Sequence, residues 1–247
     1  MRLAAVAAAV ALALAGAAPL RVAVAETPPD VVVLCDATLC PAIRAAGELW
    51  RASSRVPVRT FELPTALMAE RLAHGVRADL IAGLDPAALD RAEQAGALQP
   101  GSRKPLGADR LVLVRRAGAA NGAPAAVLGD GRLGLNDAGL PGPGAASRTW
   151  LAAIGLTAEA GRLGAENTPA VAGLVATGAA RLGVVFATDL KADPSLAAAQ
   201  AADAPAVAAE LATAKGARSA NTAAFRDFLL GARGGEALRA AGLEAAP

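Results

Sequence analysis

The stretch Val31-Val-Val-Leu-Cys-Asp-Ala-Thr38-Leu-Cys-Pro-Ala42 constrains this chain most, because an apolar β-type run stops at a small polar residue and a helical pattern begins at once. That is a strand feeding a helix through a tight turn. The unit then repeats. Val56 to Phe61 reads as a strand, and Leu63-Pro64-Thr65 opens a helix over Ala66 to His74 that Gly75 closes. Ala78 to Ala82 is a short buried strand, with Asp85-Pro86 starting a helix to Ala95. Strand alternating with helix at this rhythm predicts a parallel, doubly wound sheet.

The turns have a common chemistry. Thr38 and Thr65 each fall where an N-cap hydroxyl is expected, and Thr168, followed by Pro169, gives the same start signal later in the chain. A helix start exposes unpaired N–H groups at the positive end of the dipole, which together make an anion site. The turn at Thr38 is therefore read as half of a ligand site.

Gly96 to Gly107 reads as a loop, and Asp109 to Arg116 as a strong strand crossing into a second lobe. Gly129-Asp-Gly131-Arg-Leu-Gly134 satisfies the bare dinucleotide fingerprint but is rejected. A strand, Leu133 to Asn136, comes after it, whereas the fingerprint must follow a strand and open a helix. Gly139-Leu-Pro-Gly-Pro-Gly144 leads into a helix over Ala145 to Ile154, and the turn Glu166-Asn167 precedes a helix from Thr168 to Thr177. Leu182 to Phe186 is another buried strand, and Ala187-Thr188-Asp189 starts a short helix. Residues 195–214 blur into alanine and receive no assignment. Thr222 to Leu230 and Gly235 to Ala241 close the chain as helices.

Residues 1–25 have the charged start, short apolar run and Ala23-Val24-Ala25 cleavage pattern of a secretory signal peptide, so a mature chain starting near Glu26 is expected; a cut after Ala17 or Ala18 is the alternative. Pro19 and Arg21 interrupt the run before the roughly 20 residues that span a bilayer. Removing Arg2 and Arg21 from 24 basic residues leaves 22 against 22 acidic ones, and a neutral protein lacks the field of a nucleic-acid binder. Cys35 and Cys40 are the only cysteines. Export would allow a disulfide between them, but the required Cα separation is not guaranteed by the sequence. Their spacing is not the C-x-x-C of a redox pair. His74, the only histidine, sits before a glycine stop, where a partial positive charge suits a helix C-terminus, and no second histidine makes it a metal ligand.

The order of these signals resembles the periplasmic molybdate-binding proteins of ABC importers, within the two-lobed type II solute-binding fold. The resemblance rests on Val31 to Thr38, Thr65 to Asp85, Gly101-Ser-Arg with Asp109-Arg-Leu-Val-Leu-Val114, Leu128 to Leu133, Ala165-Glu-Asn with its helix, and Gly183-Val-Val-Phe-Ala-Thr-Asp189. It implies an α/β protein of two lobes, each a mainly parallel sheet flanked by helices, with residues 26–108 plus 210–247 in lobe I and 109–209 in lobe II. It also implies that molybdate or tungstate is held between the lobes by hydroxyls and backbone N–H groups and passed to an inner-membrane permease. Family hydroxyl positions fall on Thr38 and Thr65, and a backbone donor on Thr168. The family's ligand-contacting tyrosine is replaced by Phe186. A further backbone donor falls at Pro143, which has no N–H, with Gly144 or Gly142 as substitutes. Asp36 stands where small apolar residues are common, and its carboxylate would repel a dianion unless turned away or protonated. A monomer with no cofactor, no bound metal and no catalytic residue is expected. The alternative is a receptor or sensor of the same fold for another small anion or a carboxylate ligand, with Asp36 meeting an amine or a metal. A hydrolase is disfavoured, since His74 ends a helix and no G-x-S-x-G elbow is present.

Overall fold

The computed structural model describes residues 30–136, 143–156, 161–200 and 203–245. The expected signal peptide and Gly139 to Gly142 lie outside the described residues. Strands β1 (Val31–Cys35), β2 (Val58–Glu62) and β3 (Leu80–Gly83) alternate with helices α1 (Cys40–Ser54), α2 (Thr65–Ala73) and α3 (Pro86–Gln94). The chain continues through β4 (Lys104–Arg116), α4 (Pro124–Leu128), β5 (Leu133–Asn136), α5 (Pro143–Ala153), β6 (Arg162–Ala165), α6 (Thr168–Ala176), β7 (Leu182–Phe186) and α7 (Ala187–Ala192). It ends with β8 (Leu196–Gln200), β9 (Ala206–Thr213), α8 (Thr222–Leu230) and α9 (Ala232–Ala241).

The strands form one sheet in the order β2-β1-β3-β9-β4-β7-β5-β6, with β8 also paired to β4. β1 runs parallel to β2 and β3, and β5 parallel to β6 and β7, so each half is built from βαβ units as expected. The two halves meet in β4, whose first part pairs antiparallel with β9 and whose second part pairs with β7 and β8. The expected lobe boundaries, at 108/109 and 209/210, both fall inside these long strands.

The sequence alone misplaces the start of β4: the predicted loop over Gly96 to Gly107 ends at Ser102 and Arg103, and the strand begins at Lys104. It also leaves 195–214 unassigned, although this segment holds β8 and β9. An alanine-rich strand has almost no side-chain signature of its own, and these two are held by pairing with β4, about a hundred residues earlier.

Core packing follows the two faces of the sheet. Val31, Val33 and Cys35 of β1 pack with Ile43 and Trp50 of α1, while Leu34 faces Met68 of α2 and Leu89 of α3. Trp50 meets Phe225 of α8 with ring centroids 5.0 Å apart, an anchor of weight in a chain with only 2% aromatic residues. In the other half, Val171 and Val175 of α6 lie over Gly134 and Gly183. A Cβ at Gly183 would come within 2.7 Å of both valines, so glycine sets how closely α6 approaches β7.

Asp79, fully buried, ties the first half to the C-terminal segment. Its carboxylate accepts the N–H groups of Val32, Arg218 and Ser219 at 2.7–2.9 Å. His74 is the exposed C-cap of α2, with Nδ1 2.8 Å from the Glu70 carbonyl, in agreement with its helix-end reading.

Candidate functional site

The helices that open on the cleft begin one residue away from where the threonines alone predict. Leu39, not Thr38, is the N-cap of α1; Pro64, not Thr65, is that of α2; and Asn167, not Thr168, is that of α6. Asn167 takes the cap because its carboxamide oxygen accepts the Ala170 N–H at 2.8 Å, and asparagine is the stronger capping residue. Thr65 and Thr168 thereby become the first helical residues, where N–H groups have no partner within the helix. Asp85 caps α3 as expected, accepting the Ala88 N–H at 3.0 Å.

A cavity of about 240 Å³ lies between the turns of the two halves. Asp36, Thr65 and Asp85 line it from the first half, and Asn136, Thr168 and Phe186 from the second. Glu62 and Glu166 sit at its exposed rim, and no lysine or arginine is among its described lining residues. Thr38 lines a neighbouring, more apolar cavity instead. Its hydroxyl lies 2.8 Å from that of Thr168, both side chains being buried, so this pair joins the first turn to α6 across the two halves. Pro143 and Gly144 are the first two residues of α5. Pro143 therefore occupies a helix start, where a missing N–H costs nothing.

Asp36 occupies one donor that the resemblance assigns to a ligand, the Thr65 hydroxyl, and the Thr38 N–H as well. Its carboxylate accepts the Thr65 hydroxyl at 3.1 Å and the Thr38 N–H at 3.3 Å. Burial pushes this carboxyl above its ordinary value, while bonds from Thr38 and Thr65 pull it back and Asp85 repels it. Thr65 in turn accepts the Leu84 N–H at 3.3 Å and packs on Gly83, where a Cβ would fall 2.4 Å from its methyl group. A disulfide between Cys35 and Cys40, with Cα atoms 5.2 Å apart, encloses Asp36 to Leu39 and fixes the turn.

Behind this cavity Asp189 accepts the Phe186 N–H at 3.0 Å. Burial pushes its carboxyl up to about 6, against the hydrogen bonds of Thr168, Phe186 and Thr38 and with repulsion from Asp36. Two polar atoms of the cavity lining are buried without a hydrogen-bond partner, Asp85 Oδ2 and Asn136 Oδ1. Arg91 Nη2 stands 4.0 Å from the former. Turning the Asn136 amide end for end would present its NH₂ group instead. Sequence reading missed Asn136 because a lone asparagine at a strand end reads as a turn residue. Asp85 was legible only as a cap. Among the described residues, no three histidine, cysteine or acidic side chains lie close enough to hold a metal ion.

No curated protein sequence matches the chain. Among solved structures, the periplasmic molybdate-binding protein of Azotobacter vinelandii is similar with a TM-score of 0.76 at 17% identity, over 88% of this chain and 100% of that one. The sulfate-binding protein of Mycobacterium tuberculosis gives 0.73 at 14% identity, over 88% and 87%. A putative phosphate ABC transporter substrate-binding protein of Clostridium perfringens, solved with bound phosphate, gives 0.66 at 14%, over 88% and 100%. At these identities the likeness shows the fold, a periplasmic-binding-protein type of mixed α/β architecture, as expected. The family model for bacterial extracellular solute-binding proteins matches residues 31–244, nearly the whole described chain, and the protein belongs to that family of binding proteins.

Proposed function

We propose that the protein is a periplasmic receptor that captures a small tetrahedral oxyanion between the two halves of its sheet and presents it to an ABC permease. The observation that carries this reading is the convergence of two helix starts, those of α2 and α6, from opposite halves on one small cavity. First-turn N–H groups and the Asn136 amide supply neutral donors, which bind an anion without a salt bridge. Each charge-assisted bond contributes about 1.5–3 kcal/mol, so a handful gives micromolar affinity after association costs. Closure follows from contacts on both sides, since a ligand that touches both halves favours the arrangement in which they meet. Molybdate and tungstate are the ions that the sequence resemblance favours. Calorimetry with molybdate, tungstate, sulfate and phosphate is the test. At least one should bind with micromolar or better affinity, and Asn136→Ala should weaken it roughly tenfold. No heat with any of the four overturns the reading.

A second reading has support in the unpartnered Asp85 Oδ2 and in Asp36: a ligand with a donor group, such as an amine on a carboxylate compound, would satisfy both. Native mass spectrometry of protein purified without added ligand distinguishes the two, because a retained organic solute and a retained inorganic oxyanion differ in mass.

A further inference from the structure

Asp36 creates a conflict inside the proposed oxyanion site. Its carboxylate lines the cavity and already takes the Thr65 hydroxyl, a donor that a bound anion would otherwise use, together with the Thr38 N–H. The charges facing it are mostly of its own sign. They are Asp85 at the start of α3, Glu62 at the end of β2, Glu166 before α6, and Asp189 in α7 behind Thr38 and Thr168. Arg91 of α3 approaches only Asp85, at 4.0 Å, and Lys191 lines the neighbouring cavity with Asp189. A fully ionised oxyanion has no hydrogen to offer, so two acceptors would meet at close range in a buried site.

We propose, building on the oxyanion-receptor reading, that Asp36 makes capture proton-linked: one proton lies between its carboxyl group and the nearest ligand oxygen. An ion such as hydrogen phosphate brings that proton and donates it as an O–H to the carboxylate. Molybdate, tungstate or sulfate has none, so a proton from solvent must first join Asp36, which then donates to the ion. Protons balance in both routes, one lying between carboxyl and ligand in each complex, and the hydrogen phosphate complex carries one more negative charge than the molybdate complex. The consequence is selectivity. Above neutral pH the receptor favours oxyanions that retain a hydrogen over those that do not. Burial of the Asp36 carboxyl favours the neutral acid and so eases the route in which a proton from solvent joins Asp36, while the ionised route depends on a ligand that brings its own hydrogen.

The test is calorimetry at pH 7 to 9 in buffers of different ionisation enthalpy, which reads protons taken up per ion bound. For the wild-type protein, molybdate should bind with uptake of about one proton and lose about tenfold in affinity per pH unit, while hydrogen phosphate should bind above pH 8 with uptake near zero. Asp36→Asn, which keeps the size and one acceptor oxygen, should bind molybdate with no uptake, independently of pH, and at least tenfold more tightly at pH 9. Asp189→Asn should retain the wild-type uptake. Molybdate binding without proton uptake in the wild type, or uptake that persists in Asp36→Asn or vanishes in Asp189→Asn, overturns this inference and leaves the receptor reading standing. Failure of wild type and both variants, each shown folded by circular dichroism, to bind any of these ions overturns the receptor reading and this inference together.

Discussion

At the scale of single residues, the threonine hydroxyls do different work from what their positions suggest. Thr38 was legible as a polar residue at a strand-to-helix turn, yet its hydroxyl faces Thr168 and Asp189 instead of capping a helix. The sequence shows which residues end a strand, but not which of two adjacent polar residues takes the cap. That choice rests on backbone angles and on competition, here won by Asn167. Asp36 was visible as a departure, but its grip on Thr65 depends on a contact 29 residues away in the chain. The Thr38–Thr168 pair gives a direct prediction. Thr38→Val keeps shape and removes one hydroxyl, leaving Thr168 and Asp189 short of a partner. Chemical denaturation should show a loss of about 1–2 kcal/mol. In a double-mutant cycle with Thr168→Val the coupling should exceed about 0.5 kcal/mol, and additive losses would show that the hydroxyl pair contributes nothing.

At the scale of elements, legibility followed local signal. β1, β3, β7 and α8 carry dense apolar runs or clear periodicity, and all four stand where expected within about two residues. β6, β8 and β9 carry neither; they exist because β5, β4 and β3 supply partners. α6 is the element on which the site most depends, since it brings Thr168 to the cavity and rests on Gly134 and Gly183. Its start is held by the Asn167 cap. Asn167→Ala should therefore cost about 1 kcal/mol of stability and also reduce ligand affinity, because a frayed first turn no longer aims its N–H groups. Asn167→Asp should restore most of the stability, and by adding charge beside the cavity it should not restore affinity for a dianion. Paired melting and binding curves on the two variants separate these effects; equal recovery of both would mean that affinity follows the cap and that the added charge does not act on the ligand.

At the scale of the whole molecule, the strand that joins the two halves carries a buried acid. Asp109 lies in β4 just before the strand exchanges β9 for β7, and its carboxylate accepts the hydroxyl and, at 3.4 Å, the N–H of Thr188. Burial pushes its carboxyl up to about 7, with Asp189 adding repulsion against the bonds from Thr188, and Asp189 itself is raised to about 6. In the unfolded chain both ionise near 3.8. Between those values the folded state holds more protons than the unfolded one, so stability falls as pH rises. The contribution is complete below about pH 4 and is lost as pH passes through 6 to 7. The melting temperature should therefore be lower at pH 8 than at pH 5, by roughly 5–10 °C for a protein of this size. Asp109→Asn cannot ionise and keeps one acceptor for Thr188, so the fall should shrink by at least half. An equal fall in the variant and in the wild type would remove the junction acid as its cause and place the pH dependence elsewhere among the buried carboxyls.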